Sequence, residues 1–174
     1  ALAIGESDYA HLPPLANPAA DARAMSAVLD GLGFETTELR DLDARKLRRA
    51  LANFAEDAEG ADVAVVYYSG HGIEAGGENW MVPIDADAGA LDSSARKLAG
   101  VPALLRELGE RVPLTIVFLD ACRTNPFPPG SLFRQDDGTA VAVGSAGLGI
   151  ARGVSEAAAP GGTARLGTVI GFAT

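Results

Sequence analysis

Cysteine is almost absent from this chain of 174 residues: Cys122 stands alone, and histidine occurs only as His11 and His71. One thiol cannot close an internal disulfide, and one Cys with two His cannot fill a structural zinc site unaided. No residue set reads as a metal site, so the fold must rest on an apolar core. Positive charge is also scarce. Lys and Arg number 14 against 23 Asp and Glu, a net charge of −9. Nucleic-acid binding needs clustered positive charge, so that class of partner is excluded. No run reaches the roughly 18 consecutive apolar residues a membrane helix needs, so no membrane contact is expected. What remains, 48% hydrophobic and 21% charged residues, is the composition of an ordinary globular protein rather than a disordered one.

The length fits one domain. The chain opens in an apolar run, Ala1-Leu2-Ala3-Ile4-Gly5, without an initiator Met. It therefore reads as an excised domain, and a removed leader is compatible with that start. The opening run predicts a buried strand. Asn17-Pro18 predicts a helix start, with Asn at the N-cap and Pro at the first helical position. Met25, Val28, Leu29 and Leu32 then recur at helical spacing. Residues 34–40 predict a second strand. Asp43 caps a second helix with an apolar face of Leu47, Leu51, Phe54 and Ala58. Its basic run, Arg45, Lys46, Arg48 and Arg49, reads as a solvated surface.

Residues 61–68 form an unbroken apolar run, which fits a strand buried on both faces of a parallel sheet. A small hairpin over residues 72–83 follows, then an acidic loop with Asp85, Asp87 and Asp92 that lacks EF-hand spacing. Pro102 opens a third helix with Leu104, Leu105 and Leu108 buried. Residues 114–119 are a further fully apolar strand. This alternation predicts an α/β fold with a parallel sheet. Between 138 and 167, Gly and Ala supply 16 of 30 residues, the composition of a flexible or partly ordered linker. Gly144-Ser145-Ala146-Gly147-Leu148-Gly149 within it is not G-x-G-x-x-G, so a nucleotide site is not expected. Residues 168–174 return to strand character.

Two apolar strands end in reactive residues, Ser69-Gly70-His71-Gly72 and Asp120-Ala121-Cys122-Arg123. In a parallel sheet all carboxyl ends share one edge, where catalytic sites collect. Neighbouring strands would bring His71 and Cys122 together there. A thiolate attacks carbonyl carbon, and a nearby His takes the proton or stabilises the ion pair. The backbone N–H groups of Gly72 and Cys122 would face the developing oxyanion. Spacing names no third residue that orients His71. Alone, Cys122 reads as a core cysteine and His71 as a turn histidine; their joint placement is what carries the chemistry.

Tyr68-Ser69-Gly70-His71-Gly72 and Asp120-Ala121-Cys122-Arg123 resemble the two catalytic motifs of the caspase-like cysteine peptidases (peptidase family C14). The approximate spacing of a His upstream of the Cys is a known caspase signature. The opening Ile4-Gly5, the Leu15-Ala16-Asn17-Pro18 segment with Asp21-Ala22, and Leu32-Gly33-Phe34 are similar to bacterial metacaspase-like members, also called orthocaspases. The resemblance implies a three-layer α/β/α sandwich with a mostly parallel central sheet. It implies that residues 1–135 are the large-subunit (p20-like) core, 136–167 an intersubunit linker, and 168–174 the first strand of a small-subunit (p10-like) portion. The rest of that portion would complete the fold as a partner to this chain. True caspases carry Gln where Asp120 stands and Gly where Thr124 stands. An acid at 120 suits Arg or Lys just before the cut bond, by charge complementarity. Asp21 matches the second acid of that pocket in metacaspases. The plainer readings are a first-turn helix acid for Asp21 and a strand-end cap for Asp120. Arg152 and Arg165 are the basic candidates for cleavage within the linker, though each reads more simply as a loop arginine.

The expected activity is therefore peptide-bond hydrolysis by a Cys122–His71 dyad through a thioester. No cofactor is required; calcium as an activator enters by resemblance alone. A reduced thiol favours the cytoplasm. Two rivals stand beside this reading. One is a non-catalytic scaffold or peptide-binding signalling module with the same fold; the other is an α/β cysteine hydrolase acting on small esters.

Overall fold

Short apolar runs alternate with amphipathic stretches, and each pair forms one strand and one crossover helix. The computed structural model describes residues 1–87, 98–121, 125–134, 138–144, 148 and 167–172. The elements run β1 (Leu2–Gly5), α1 (Pro18–Gly31), β2 (Thr37–Arg40), α2 (Ala44–Asp57), β3 (Val63–Gly70), β4 (Gly72–Ala75), β5 (Glu78–Met81), β6 (Ala99–Gly100), α3 (Val101–Arg111), β7 (Leu114–Ala121), β8 (Leu132–Arg134), β9 (Ala140–Ala142) and β10 (Gly167–Phe172). Five strands form one all-parallel sheet in the order β10-β7-β3-β1-β2. The parallel α/β fold expected from the sequence is the one observed.

The two faces of the sheet are built differently. Leu2, Ile4, Ala64, Val66, Tyr68, Val117, Leu119 and Ala121 share a core with Leu47 and Leu51 of α2 and with Leu104 and Leu108 of α3. Ala3 and Tyr67 point to the other face and pack with Ala22 of α1. Helices therefore cover both faces, which gives three layers. Residues 64–70 of β3 are buried on both faces, as the unbroken apolar run predicts.

Several expectations need correction. The buried stripe of α1 is Pro18, Ala22, Ser26 and Leu29, while Val28 is 57% exposed and Leu32 71% exposed. The helix sits too close to the sheet for large residues: a Cβ on Gly5 would strike the Pro18 carbonyl. Asn17 makes no side-chain cap bond. Ser7 Oγ instead accepts the Ala19 N–H at 3.1 Å, so the first turn is capped from the preceding loop. The second strand begins only at Thr37. β7 is buried on one face only, and Phe118 is 39% exposed on the other. Asp43 caps α2 as expected, accepting the Lys46 N–H at 2.7 Å.

The connections fix where a site can form. β1 connects through α1 to β2, on one side of it; β2 connects through α2 to β3, on the other side of β1. The two crossovers use opposite faces, so a crevice opens beyond the carboxyl ends of β1 and β3. A second, smaller core roofs this edge. It joins Tyr9 and Leu12 to Ile73, Val82, Phe127 and Phe133. Its frame is the antiparallel β4-β5-β6 sheet and the β8-β9 hairpin. Strand β9 lies inside the stretch expected as linker, and Val143 bridges to Ala75 of β4.

Candidate active site

β3 and β7 are direct neighbours, in register from Val63↔Leu114 to Gly70↔Ala121. His71 follows Gly70, and Cys122 follows Ala121 in the sequence. Cys122 itself lies outside the described residues, as do Arg152 and Arg165. The condition set by the sequence, that these two strands be neighbours, is thus met.

His71 is 5% exposed. Its Nε2 lies 2.8 Å from the Pro13 carbonyl oxygen. A carbonyl only accepts, so Nε2 carries the hydrogen and the neutral ring leaves a bare lone pair on Nδ1. That Nδ1 is buried and has no hydrogen-bond partner among the described residues. Burial lowers the His71 pKa below its ordinary value of 6.5, opposed in part by the Pro13 carbonyl. The ring is therefore held neutral, in one tautomer, with a single open acceptor.

The backbone of His71 is held as firmly as its ring. Tyr9 Oη accepts the His71 N–H at 2.8 Å. Tyr68 Oη donates to the His71 carbonyl at 2.7 Å. The Tyr9 ring leans on the imidazole, with centroids 4.5 Å apart and planes tilted by 53°. Behind them sits Glu6, wholly buried at the end of β1. Its Oε2 accepts the Leu42 N–H at 2.7 Å, while Oε1 has no partner among the described residues. Burial pushes the Glu6 pKa up to about 9, so the group is a neutral acid at pH 7. Desolvation also raises both tyrosines above their usual range.

The two acids expected in the pocket lie at the same edge, on the face that α1 covers. Asp120 stands beside Ser69 in register. Its Oδ2 accepts the Tyr67 hydroxyl at 2.9 Å. Asp21, in the first turn of α1, adds its field at the same hydroxyl, whose pKa is raised by burial first and by Asp120 next. Both acids are partly exposed. Gly72 is buried at the start of β4. A Cβ there would lie 2.7 Å from Leu148 Cδ2 and 3.1 Å from Ala121 Cβ, so a side chain from the Gly/Ala stretch covers it.

Sequence reasoning missed Tyr9, Pro13 and Glu6. Pro13 acts through a backbone carbonyl, which leaves no residue-type signal. Tyr9 and Glu6 lie in a non-periodic loop whose path only the fold defines.

Comparison with known families decides the class. The caspase domain of peptidase family C14 matches residues 1–161. This chain belongs to the caspase domain family. That is a family of cysteine peptidases, in agreement with the resemblance carried by the two motifs. Human mucosa-associated lymphoid tissue lymphoma translocation protein 1 is 30% identical over 123 residues, covering 71% of this chain and 15% of that protein. The homolog from Mus musculus is 29% identical over 123 residues, covering 71% of this chain and 14% of that protein. The chain thus spans about 15% of the length of the curated relatives it matches. Protein GSU0716 from Geobacter sulfurreducens shares the fold of this caspase domain. The TM-score is 0.55 at 22% identity, over 71% of this chain and 50% of that one. Among the described residues of the caspase domain, no helix is long and apolar enough to cross a membrane.

Proposed function

We propose that this caspase domain is a metacaspase-like cysteine endopeptidase that cuts after Arg or Lys, with Cys122 as nucleophile and His71 as base and acid. The single observation that carries the reading is His71 itself. Pro13 occupies Nε2, and Nδ1 is left as a buried, open acceptor one residue beyond the Gly70↔Ala121 pair. An unsatisfied buried acceptor is costly, which is reasonable where the group has chemistry to perform.

His71 Nδ1 takes the Cys122 thiol proton. The sulfur attacks the scissile carbonyl carbon, and the carbonyl electrons move onto oxygen. The N–H groups of Gly72 and Cys122 stabilise that oxyanion. As it collapses, the C–N bond breaks and the imidazolium gives its proton to the departing amine. A thioester remains on Cys122. His71 then removes a proton from water, whose oxygen attacks the thioester and releases the acid and the free thiol. Nothing in the cycle calls for a cofactor. Asp120 and Asp21 bind the cationic side chain ahead of the cut bond. Asp120 has spent one oxygen on Tyr67 and keeps the other for the substrate.

The test uses the full-length protein and two peptide reporters that differ only in the residue before the cut, Arg or Asp. Cleavage after Arg, abolished by Cys122→Ala, is the expected result. Cleavage after Asp would overturn the roles of Asp120 and Asp21 and leave the dyad standing. Undiminished turnover by Cys122→Ala would overturn the dyad.

A further inference from the structure

The space beneath His71 is crowded by hydroxyls. A Cβ on Gly70 would lie 2.7 Å from Tyr68 Oη, 2.8 Å from Tyr9 Oη and 3.0 Å from Glu6 Cβ. Glycine at 70 therefore admits two phenols that reach the backbone of the next residue. Their hydrogens follow from the acceptor distances. Tyr9 Oη donates to the Val82 carbonyl at 3.1 Å, which leaves its lone pair for the His71 N–H. Tyr68 has one hydrogen and two carbonyls in reach, His71 at 2.7 Å and Val82 at 3.0 Å; the nearer is the His71 carbonyl. Two tyrosines thus grip the two backbone groups of one histidine.

Tyr9 does more than Tyr68. It belongs to the loop between β1 and α1 that also carries Pro13, four residues on. One loop therefore holds the His71 amide through a phenol oxygen, its ring face through an aromatic contact, and its Nε2 through a carbonyl. The start of this loop is pinned in turn by Asp41, whose Oδ1 accepts the N–H groups of Ser7 and Asp8 at 2.8 and 3.0 Å.

We propose that Tyr9 is a positioning residue of the peptidase site: its hydroxyl and ring hold His71 so that Nε2 meets the Pro13 carbonyl and Nδ1 stays free for the nucleophile. The inference rests on the proposed Cys122–His71 chemistry. Tyr9 touches neither substrate nor the reacting sulfur in this scheme. It acts through His71 alone. Among the described residues, the titratable groups around His71 are Tyr9 from the loop, Tyr68 from β3 and, across Gly70, Glu6 from the end of β1; the Cys122 thiol joins them in the proposed chemistry. Tyr9, Tyr68 and Glu6 are uncharged at pH 7, so loss of the Tyr9 contact changes the solvation of His71 rather than the charge beside it.

The experiment follows iodoacetamide alkylation of Cys122, the sole cysteine of these 174 residues, from pH 5 to 9 in the full-length protein, with the Cys122 peptide read by peptide mapping. It compares wild type, His71→Ala and Tyr9→Phe, and it measures kcat and KM on the Arg reporter. Tyr9→Phe keeps the ring and removes the hydroxyl. A misplacement of the base on the ångström scale costs roughly tenfold to a hundredfold. Tyr9→Phe should therefore slow alkylation and lower kcat by that order with KM unchanged. The acid limb of its pH profile should move up toward the ordinary histidine value, because water reaches the loosened ring. 3-Fluorotyrosine at position 9 keeps the hydroxyl; its ring fluorine weakens the oxygen as an acceptor for the His71 N–H and strengthens the O–H as a donor to the Val82 carbonyl. It should shift the same readouts by less, and it covers the case in which Tyr9→Phe does not fold. Alkylation and pH profiles equal to wild type in the Tyr9-altered protein would overturn the proposal. If His71→Ala alkylates as fast as wild type, the dyad beneath the proposal fails instead.

Discussion

Replacing Glu6 by Gln should remove a large part of the pH dependence of stability. The carboxyl group is wholly buried, and its pKa rises from 4.5 to about 9, chiefly because burial disfavours the charged form. In the unfolded chain the group releases its proton above pH 4.5; in the folded chain it keeps it. The stability it allows is complete below the unfolded value and is lost as pH rises toward the folded one. The slope is about 1.4 kcal/mol per pH unit. Between pH 5 and pH 8 wild type should therefore lose about 4 kcal/mol relative to Glu6→Gln. The amide oxygen can still accept the Leu42 N–H, as Oε2 does at 2.7 Å. The amide N–H groups replace an O–H at Oε1, which already lacks a partner among the described residues. That exchange shifts stability by an amount independent of pH. Urea unfolding of both proteins at pH 5 and pH 8 gives the double difference, in which every other titrating group cancels. A double difference near zero would mean that Glu6 is ionised in the folded state, and the burial argument would be refuted.

Two further outcomes follow from the geometry. Because burial lowers the His71 pKa, the acid limb of kcat/KM should lie below pH 6.5; a midpoint at or above 6.5 in the pH–rate profile would contradict the solvent-excluded ring. Ser7→Ala should cost about 1 kcal/mol, the usual value of a helix cap, while Asn17→Ala should be close to neutral. Thermal melts of the two variants check this, since only Ser7 caps the first turn of α1.

Much of the frame is legible in the chain because it depends on runs of residue type. The apolar run leading into Tyr68 and the one leading into Leu119 each predict a buried strand. Parallel pairing then places the residues that follow them on one edge. Asp43 is legible as a cap because its partner is three residues away. The failures share a different cause. Asn17 has the right residue type at the right place, yet Ser7 takes the role from ten residues earlier. Val28 and Leu32 keep helical spacing, yet a close-packed Ala22 faces the sheet instead. In both cases tertiary approach overrides local propensity. The support around His71 is the extreme case: a carbonyl, a phenol and a buried acid, all on one irregular loop or at its root. Only folding gives them a common target.

Strand β10 has a consequence for the integrity of the domain. β10 pairs with β7 over six residues, from Gly167↔Leu114 to Phe172↔Leu119. Its ladder depends on backbone pairing with β7, not on the covalent path that leads to it. A break in the chain between residues 144 and 167 would leave every rung in place. It would, however, turn a tethered strand into a separate ligand, replacing an effective concentration in the millimolar range by the actual concentration of the fragment. The β10–β7 pairing would then behave as a binding equilibrium, with occupancy that falls on dilution.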